Sequence, residues 1–275
     1  MRLHLTLLLL GANALAEPGA VYLANAGVLV TRGETKIAFD PLAQQSYGQY
    51  QTLPREIRDG LINGVAPYDG IDAVLISHHH GDHFSPEDML QLLREQTGMH
   101  LFAPAQAVSA MAALAGADED GIFSRVTAIR LEYRQAPVSI AAGELLVEAV
   151  RIPHSGWPSS MNDVENIAFR VTLDEVTTVL HLGDADTSDV HFAQDPDFWD
   201  GRHTDLALPP YWYFLSASGR RVLAERLRPG HAIGVHVPEK MPDDPAARPP
   251  EFMGYDLFTE PGETRIIDAS DVTSH

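Results

Sequence analysis

The chain has 275 residues, 45% of them hydrophobic and 21% charged, and no cysteine. That is the composition of a globular protein with a sizeable core, and it excludes disulfides, thiolate metal sites and a cysteine nucleophile. Thirty-eight acidic residues against 19 basic ones give a formal net charge of −19, a field that repels nucleic acid and anionic membranes, so the expected partner is a small molecule; the sequence does not set the oligomeric state.

In chain order, the first element is a leader. Arg2 precedes the apolar run Leu5 to Leu10, and Ala14-Leu15-Ala16 forms a small-x-small site ahead of Glu17. Residues 1–16 read as a signal peptide too short to cross a bilayer. Residues 17–275 then form a single domain in the periplasm or outside the cell, with no membrane anchor after cleavage. The alternative is an edge strand at Leu3 to Leu10 and a cytoplasmic protein.

Residues 20–42 divide into short apolar runs at Asn25-Ala26-Gly27 and Arg32-Gly33-Glu34, the pattern of two or three antiparallel strands. Ala43 to Gly70 is polar and aperiodic and reads as a long surface loop with one helical turn near Arg55 to Arg58; such loops are often functional. Ile71 to Ile76 is a buried strand. Ser85 caps a helix that opens on Pro86, with Glu87 and Asp88 in its first turn. A strand at His100 to Ala103 and a helix at Ala105 to Ala115 follow, then an acidic turn at Asp118 to Gly121. Strands are expected at 127–132, 137–141, 144–151, 166–173, 177–182 and 204–208. A helix at 218–227 and a strand at 231–237 precede a Pro-rich loop at 238–250, and residues 263–268 close the sheet.

Between the buried strand and the capped helix lies Ser77-His78-His79-His80-Gly81-Asp82-His83. Loops at the carboxyl ends of strands are where open α/β sheets bind ligands. Neutral imidazole and carboxylate suit zinc and similar divalent ions. On this loop His78 and His80 can aim at one point, and Asp82 and His83 at a second. A solvated histidine-rich turn is the bland alternative.

The His-x-His-x-Asp-His block resembles the metallo-β-lactamase superfamily. Further blocks down the chain fit that resemblance: His154 in Ile152-Pro153-His154-Ser155, Asp184 in His181-Leu182-Gly183-Asp184, and His236 in Gly234-Val235-His236. Asn25-Ala26-Gly27 and Phe39-Asp40-Pro41 look like the branch containing lactonases and phosphodiesterases. The resemblance implies an α/β fold, a four-layer αββα sandwich with two divalent ions at one edge. The ions would be zinc first, with manganese or iron as alternatives. By the same resemblance His78, His80 and His154 hold one ion, Asp82, His83 and His236 the other, and Asp184 bridges them. Two ions about 3.5–4 Å apart can share a hydroxide that attacks the substrate. Asp82 would orient it, and Asp184 or a metal-bound water would supply the leaving-group proton.

The other candidates are weighed individually. Asp40 reads as a carboxylate orienting a ligand imidazole, or equally as a turn former before Pro41. His181 reads as a satisfied core histidine beside the ligands, and His79 points away from them. His231 and His236 are about 16 Å apart in an extended strand, so only one reaches the site, and His236 is at the correct end. Trp157, Tyr211, Trp212 and Tyr213 are expected to wall an apolar or ring-bearing substrate pocket.

The expected function is hydrolysis of a small ester-like molecule, a lactone first and a phosphodiester second. Alternatives are a thioesterase of the glyoxalase II type, a β-lactamase, and a non-catalytic secreted metal-binding protein. A serine hydrolase is disfavoured by the lack of Gly-x-Ser-x-Gly.

Overall fold

The computed structural model describes residues 19–116 and 120–268; the leader assigned to residues 1–16 lies outside the described residues. Two seven-stranded sheets face each other. The first is built from β1 (Gly19–Ala24), β2 (Gly27–Arg32), β3 (Thr35–Phe39), β4 (Ala73–Leu75), β5 (His100–Pro104) and β6 (Val126–Ile129), and includes one strand from the chain's end. The second uses β7 (Val138–Ala142), β8 (Leu145–Arg151), β9 (Ile167–Thr172), β10 (Thr178–His181), β11 (Leu206–Leu208), β12 (His231–Gly234) and β13 (Asp256–Leu257). The last strand, β14 (Thr264–Ile266), returns to pair with β1 and completes the first sheet.

Alternation along the strands sorts side chains between layers. Val28, Val30, Ile37, Phe39, Ala73 and Leu75 of the first sheet meet Val147, Ala149, Ile167, Phe169, Val171 and Val179 of the second in one buried cluster. The intervening residues face outward. Leu29, Ala38 and Val74 pack under helices on one side; Ala168, Leu180 and Ala207 do so on the other. The layers are therefore αββα, as the resemblance implied.

The first outer layer holds α1 (Arg55–Asn63), α2 (Pro86–Glu95) and α3 (Ala105–Leu114). Ser85 caps α2, its side chain accepting a hydrogen bond from the Asp88 backbone. Where one helical turn was expected, α1 runs nine residues. Ile57, Leu61 and Ile62 give it a narrow buried face, and Gly64 closes it in the left-handed conformation. The acidic segment is also different: Asp120–Phe123 forms a short helix, α4, and residues 117–119 lie outside the described residues.

The second outer layer holds α5 (Asp189–Phe192), α6 (Pro196–Asp200), α7 (Trp212–Leu215) and α8 (Ala217–Arg221), the last continuing into a π-helical stretch at Val222–Leu227. Among these, α5, α6 and α7 were not expected. Each has four or five residues, too few for a period to register in the sequence. Among the described residues no helix is long and apolar enough to cross a membrane.

β3 to β6 are parallel, as are β10 to β13. Their carboxyl ends carry Asp40 after β3, the histidine loop after β4, Asp184 after β10 and His236 after β12. Three cross-connections lock these ends together. The Ile167 backbone donates to the Ser77 carbonyl at 2.9 Å, the His236 backbone to the Asn25 carbonyl at 2.8 Å, and Asn25 Nδ2 to the Asp82 carbonyl at 2.7 Å.

Candidate metal centre

The four sequence blocks meet at this edge. Among the described residues, three groups bring potential ligand atoms within 4.8 Å of one another: His78, His80 and His154; His78, His83 and Asp184; and Asp82, His83 and His236. All seven residues expected as ligands are present, and six of them are buried, His80 only partly. His79 and His231 belong to none of the groups, and His231 is exposed and paired with Asp256 at 2.9 Å.

Asp184 stands between the two nitrogen sets. Its Oδ1 lies 3.1 Å from His83 Nε2 and 3.4 Å from His236 Nε2, and its Oδ2 lies 3.4 Å from His154 Nε2. Asp82 Oδ2 is 3.1 Å from His236 Nε2. His78 Nε2 and His80 Nδ1 approach to 3.1 Å.

Local structure aims these atoms. Gly183 takes φ of +55°, and a Cβ there would meet Asn166 Oδ1 at 2.5 Å and the Ser77 side chain at 2.6 Å. Only glycine turns the chain at that point, and Asp184 follows it directly. Asn166 ties the turn together, accepting from the Asp184 backbone and donating to the Ile152 and Leu182 carbonyls. It thereby links the segments leading to His154 and Asp184. β12 is shorter than expected because it ends at Gly234; His236 sits beyond it with φ of +58°, a conformation uncommon outside glycine and recurrent at functional sites.

Hydrogen bonds also select tautomers. His83 Nδ1 donates to Asp40 Oδ2 at 2.8 Å, and His154 Nδ1 donates to the Ser155 carbonyl at 2.8 Å. In the neutral imidazole each bond leaves Nε2 as the acceptor nitrogen. Asp40 is itself held by the Ser77 backbone and hydroxyl at 2.7 and 2.6 Å. Next to it, His181 Nε2 donates to the Ala26 carbonyl at 2.9 Å while its Nδ1 accepts from the Gly183 backbone, and its ring stacks on Phe39. Both His181 nitrogens are thus engaged away from the ligand cluster.

The electrostatics match a cation site. Burial, then the neighbouring His83 charge, pushes His78 well below its ordinary value. Burial, with His154 and His79 nearby, pushes His80 down to about 4. Burial opposes charge on Asp184, but His236 and His83 outweigh it and hold the carboxyl well below the carboxylate range. Asp82 is lowered too: burial is overcome by the His236 hydrogen bond and the His83 charge. The same carboxylates act in reverse on His83, where Asp184 and Asp40 overcome burial and raise it.

Three buried atoms at this point, His83 Nε2, His154 Nε2 and Asp184 Oδ1, make no hydrogen bond. Buried polar atoms are costly unless satisfied. Divalent cations would satisfy all three, so the donor set fits the metals that the fold implies.

The expected aromatic wall divides. Trp212 is half-buried, its ring 5.3 Å from that of His236, and Tyr211 is beside it at 5.5 Å. Tyr213 is a correction. It is fully buried in the core behind the site and donates its hydroxyl hydrogen bond to the Asp186 carbonyl. The reason is α7, which turns Tyr213 inward while Trp212 stays near the surface. Trp157 follows His154 closely, its backbone donating to the His154 carbonyl at 3.3 Å, and its ring packs on His191 at 4.7 Å and Tyr133 at 6.0 Å. Sequence reasoning missed Tyr50, whose ring centroid lies 4.0 Å from that of His236 in an edge-on arrangement, and Asn166. Neither has a neighbouring motif; only the length of the 43–70 loop pointed toward Tyr50.

Comparison with known proteins agrees with this geometry. The family described as the beta-lactamase superfamily domain matches residues 35–211. The chain therefore belongs to the β-lactamase superfamily, the metallo-hydrolase family of this fold. It is similar to UPF0173 protein YddR of Bacillus subtilis (strain 168), 35% identical over 68 residues, which is 22% of this chain and 26% of that protein's length. Its structure is similar to that of Igni18, a metallo hydrolase from the archaeon Ignicoccus hospitalis, with a TM-score of 0.58 and 19% identity over 92% of this chain and 99% of the other. It is also similar to an isothiocyanate hydrolase from Delia radicum gut bacteria, with a TM-score of 0.57 and 12% identity over 90% and 98%.

Proposed function

We propose that the chain is a dinuclear metal hydrolase acting on a small ester-like substrate, a lactone in first place. The observation that carries the dinuclear reading is the position of Asp184, with one oxygen toward His83 and His236 and the other toward His154. A carboxylate so placed can bridge two ions. When bound, the ions supply Lewis acidity and make hydroxide available near neutral pH. Zinc is the first choice for an imidazole and carboxylate set, with manganese and iron as alternatives.

The chain's own residues have distinct parts in this reading. His78, His80 and His154 form one donor set, and Asp82, His83 and His236 the other. Asp82, ionised and nearly buried, is placed to orient the attacking water and accept its proton. Asp184 is held ionised by its imidazole neighbours, so its first part in this reading is to bridge.

Tyr50 and Trp212 flank His236 with uncharged ring surface, which favours an uncharged acyl substrate over a phosphodiester. Export to the periplasm or beyond, read from residues 1–16, belongs to the same proposal and is tested by cell fractionation. The functional test joins metal analysis of the purified protein to a screen of lactones, phosphodiesters, thioesters and β-lactams. Lactone turnover that disappears with the metal and returns on reloading is expected. Full turnover by the metal-free protein would overturn the proposal.

A further inference from the structure

The segment between β3 and α1 is pinned to two of the loops that carry candidate ligands. The backbones of Gln44 and Gln45 both donate to the Gly81 carbonyl at 3.0 Å, fastening the segment to the histidine loop. Tyr50 forms a backbone bridge with Pro238, and the Glu239 backbone donates to the Gln49 carbonyl at 2.8 Å, fastening it beside His236. Tyr50 lies where these two attachments place it, its ring edge-on to His236.

The polar atoms of the neighbouring aromatic side chains are mostly committed. The Tyr213 hydroxyl donates to the Asp186 carbonyl, and Trp212 Nε1 donates to the Ala185 carbonyl. The Tyr211 ring packs on Trp212 and Phe252, and its hydroxyl, like that of Tyr50, has no partner among the described residues, but its ring is not against a candidate ligand. Tyr50 is half-buried, touches a ligand ring, and its hydroxyl makes no hydrogen bond with the described residues.

We infer that Tyr50 is a catalytic residue: its hydroxyl donates a hydrogen bond to the substrate oxygen that gains negative charge when the acyl carbon is attacked. This rests on the ester-hydrolase reading above. The phenol gives a hydrogen bond and keeps its proton. The balance is that of hydrolysis, with the water hydroxyl bonding to the acyl carbon and its hydrogen ending on the departing oxygen. A fixed donor aimed at developing charge is worth far more to the transition state than to the substrate.

The test compares wild type with Tyr50→Phe, which keeps the ring against His236 and removes only the hydroxyl. Metal content and thermal midpoint establish that fold and site are intact. On a lactone that wild type hydrolyses, kcat should fall by about 10²-fold with KM nearly unchanged, the loss typical of one such donor. The loss should be equal for alkyl and nitrophenyl esters that the enzyme accepts. Binding of a cyclic phosphonate that mimics the charged intermediate, measured by calorimetry without turnover, should weaken by about 10- to 100-fold. Unchanged kcat and unchanged phosphonate affinity would overturn the assignment. So would a loss confined to poor leaving groups, which would place the hydroxyl on the departing oxygen instead. A wild-type protein that turns over no ester overturns the functional reading, while the phosphonate measurement still decides the role of Tyr50.

Discussion

Asp40 and His83 act as one unit. Asp40 Oδ2 accepts the Nδ1–H of His83 at 2.8 Å, and this leaves His83 Nε2 facing Asp184 Oδ1 at 3.1 Å. Asp40 belongs to none of the candidate ligand groups; it fixes a ring that does. The two Ser77 hydrogen bonds to Asp40 extend this support into β4's end.

Asp40→Asn should therefore weaken metal binding at the set formed by Asp82, His83 and His236, by about 10- to 100-fold, as loss of such supporting carboxylates does. Competition with a chelator measures it. The set of His78, His80 and His154 should retain its ion under the same conditions. Equal affinity at both sets in the variant would show that Asp40 is only a turn residue before Pro41.

The histidines should titrate in opposite directions in the metal-free protein. His80 is pushed down to about 4 from 6.5, so its neutral form supports the fold above pH 6.5 and that contribution is lost as pH falls toward 4. His83 is raised above 6.5, so its charged form contributes fully below that pH and the contribution is lost as pH rises through the raised value. NMR titration of the imidazole resonances checks both. Because His83 must shed its proton to become a ligand, ion binding at its set should release protons, read by calorimetry in buffers of different ionisation enthalpy. A His80 midpoint near 6.5 would contradict the assignment.

Tyr213 and Trp212 are adjacent in sequence and should respond differently. Tyr213→Phe removes a buried hydroxyl from the Asp186 carbonyl and should cost about 1–3 kcal/mol of stability with KM unchanged. Trp212→Ala should instead raise KM by about three- to tenfold, the equivalent of a ring contact worth 0.5–1.5 kcal/mol. Denaturant melts and steady-state kinetics on the pair separate core from pocket. A KM effect from Tyr213→Phe would return that residue to the pocket wall.

The candidate ligand cluster was legible because each block follows a strand, and strands announce themselves by short apolar runs. Ile71 to Ile76, Thr178 to Leu182 and Ala232 to Val235 each end beside a candidate ligand. Ser85 and Pro86 marked the start of α2 equally clearly. The aromatic wall was less legible, because the inward turn of Tyr213 depends on a four-residue helix with no detectable period. α1 was shortened to one turn because Gly60 and the charged residues around it dilute the signal of Ile57 and Leu61. Tyr50 depends on tertiary contact alone: its partners are Pro238 and His236, nearly two hundred positions away.

The most direct measurement of the dinuclear account is anomalous diffraction from crystals of the metal-loaded protein. The account predicts two peaks per chain about 3.5–4 Å apart, one against His78, His80 and His154, the other against Asp82, His83 and His236, with Asp184 reaching both. A single peak, or a pair not joined by Asp184, would contradict it.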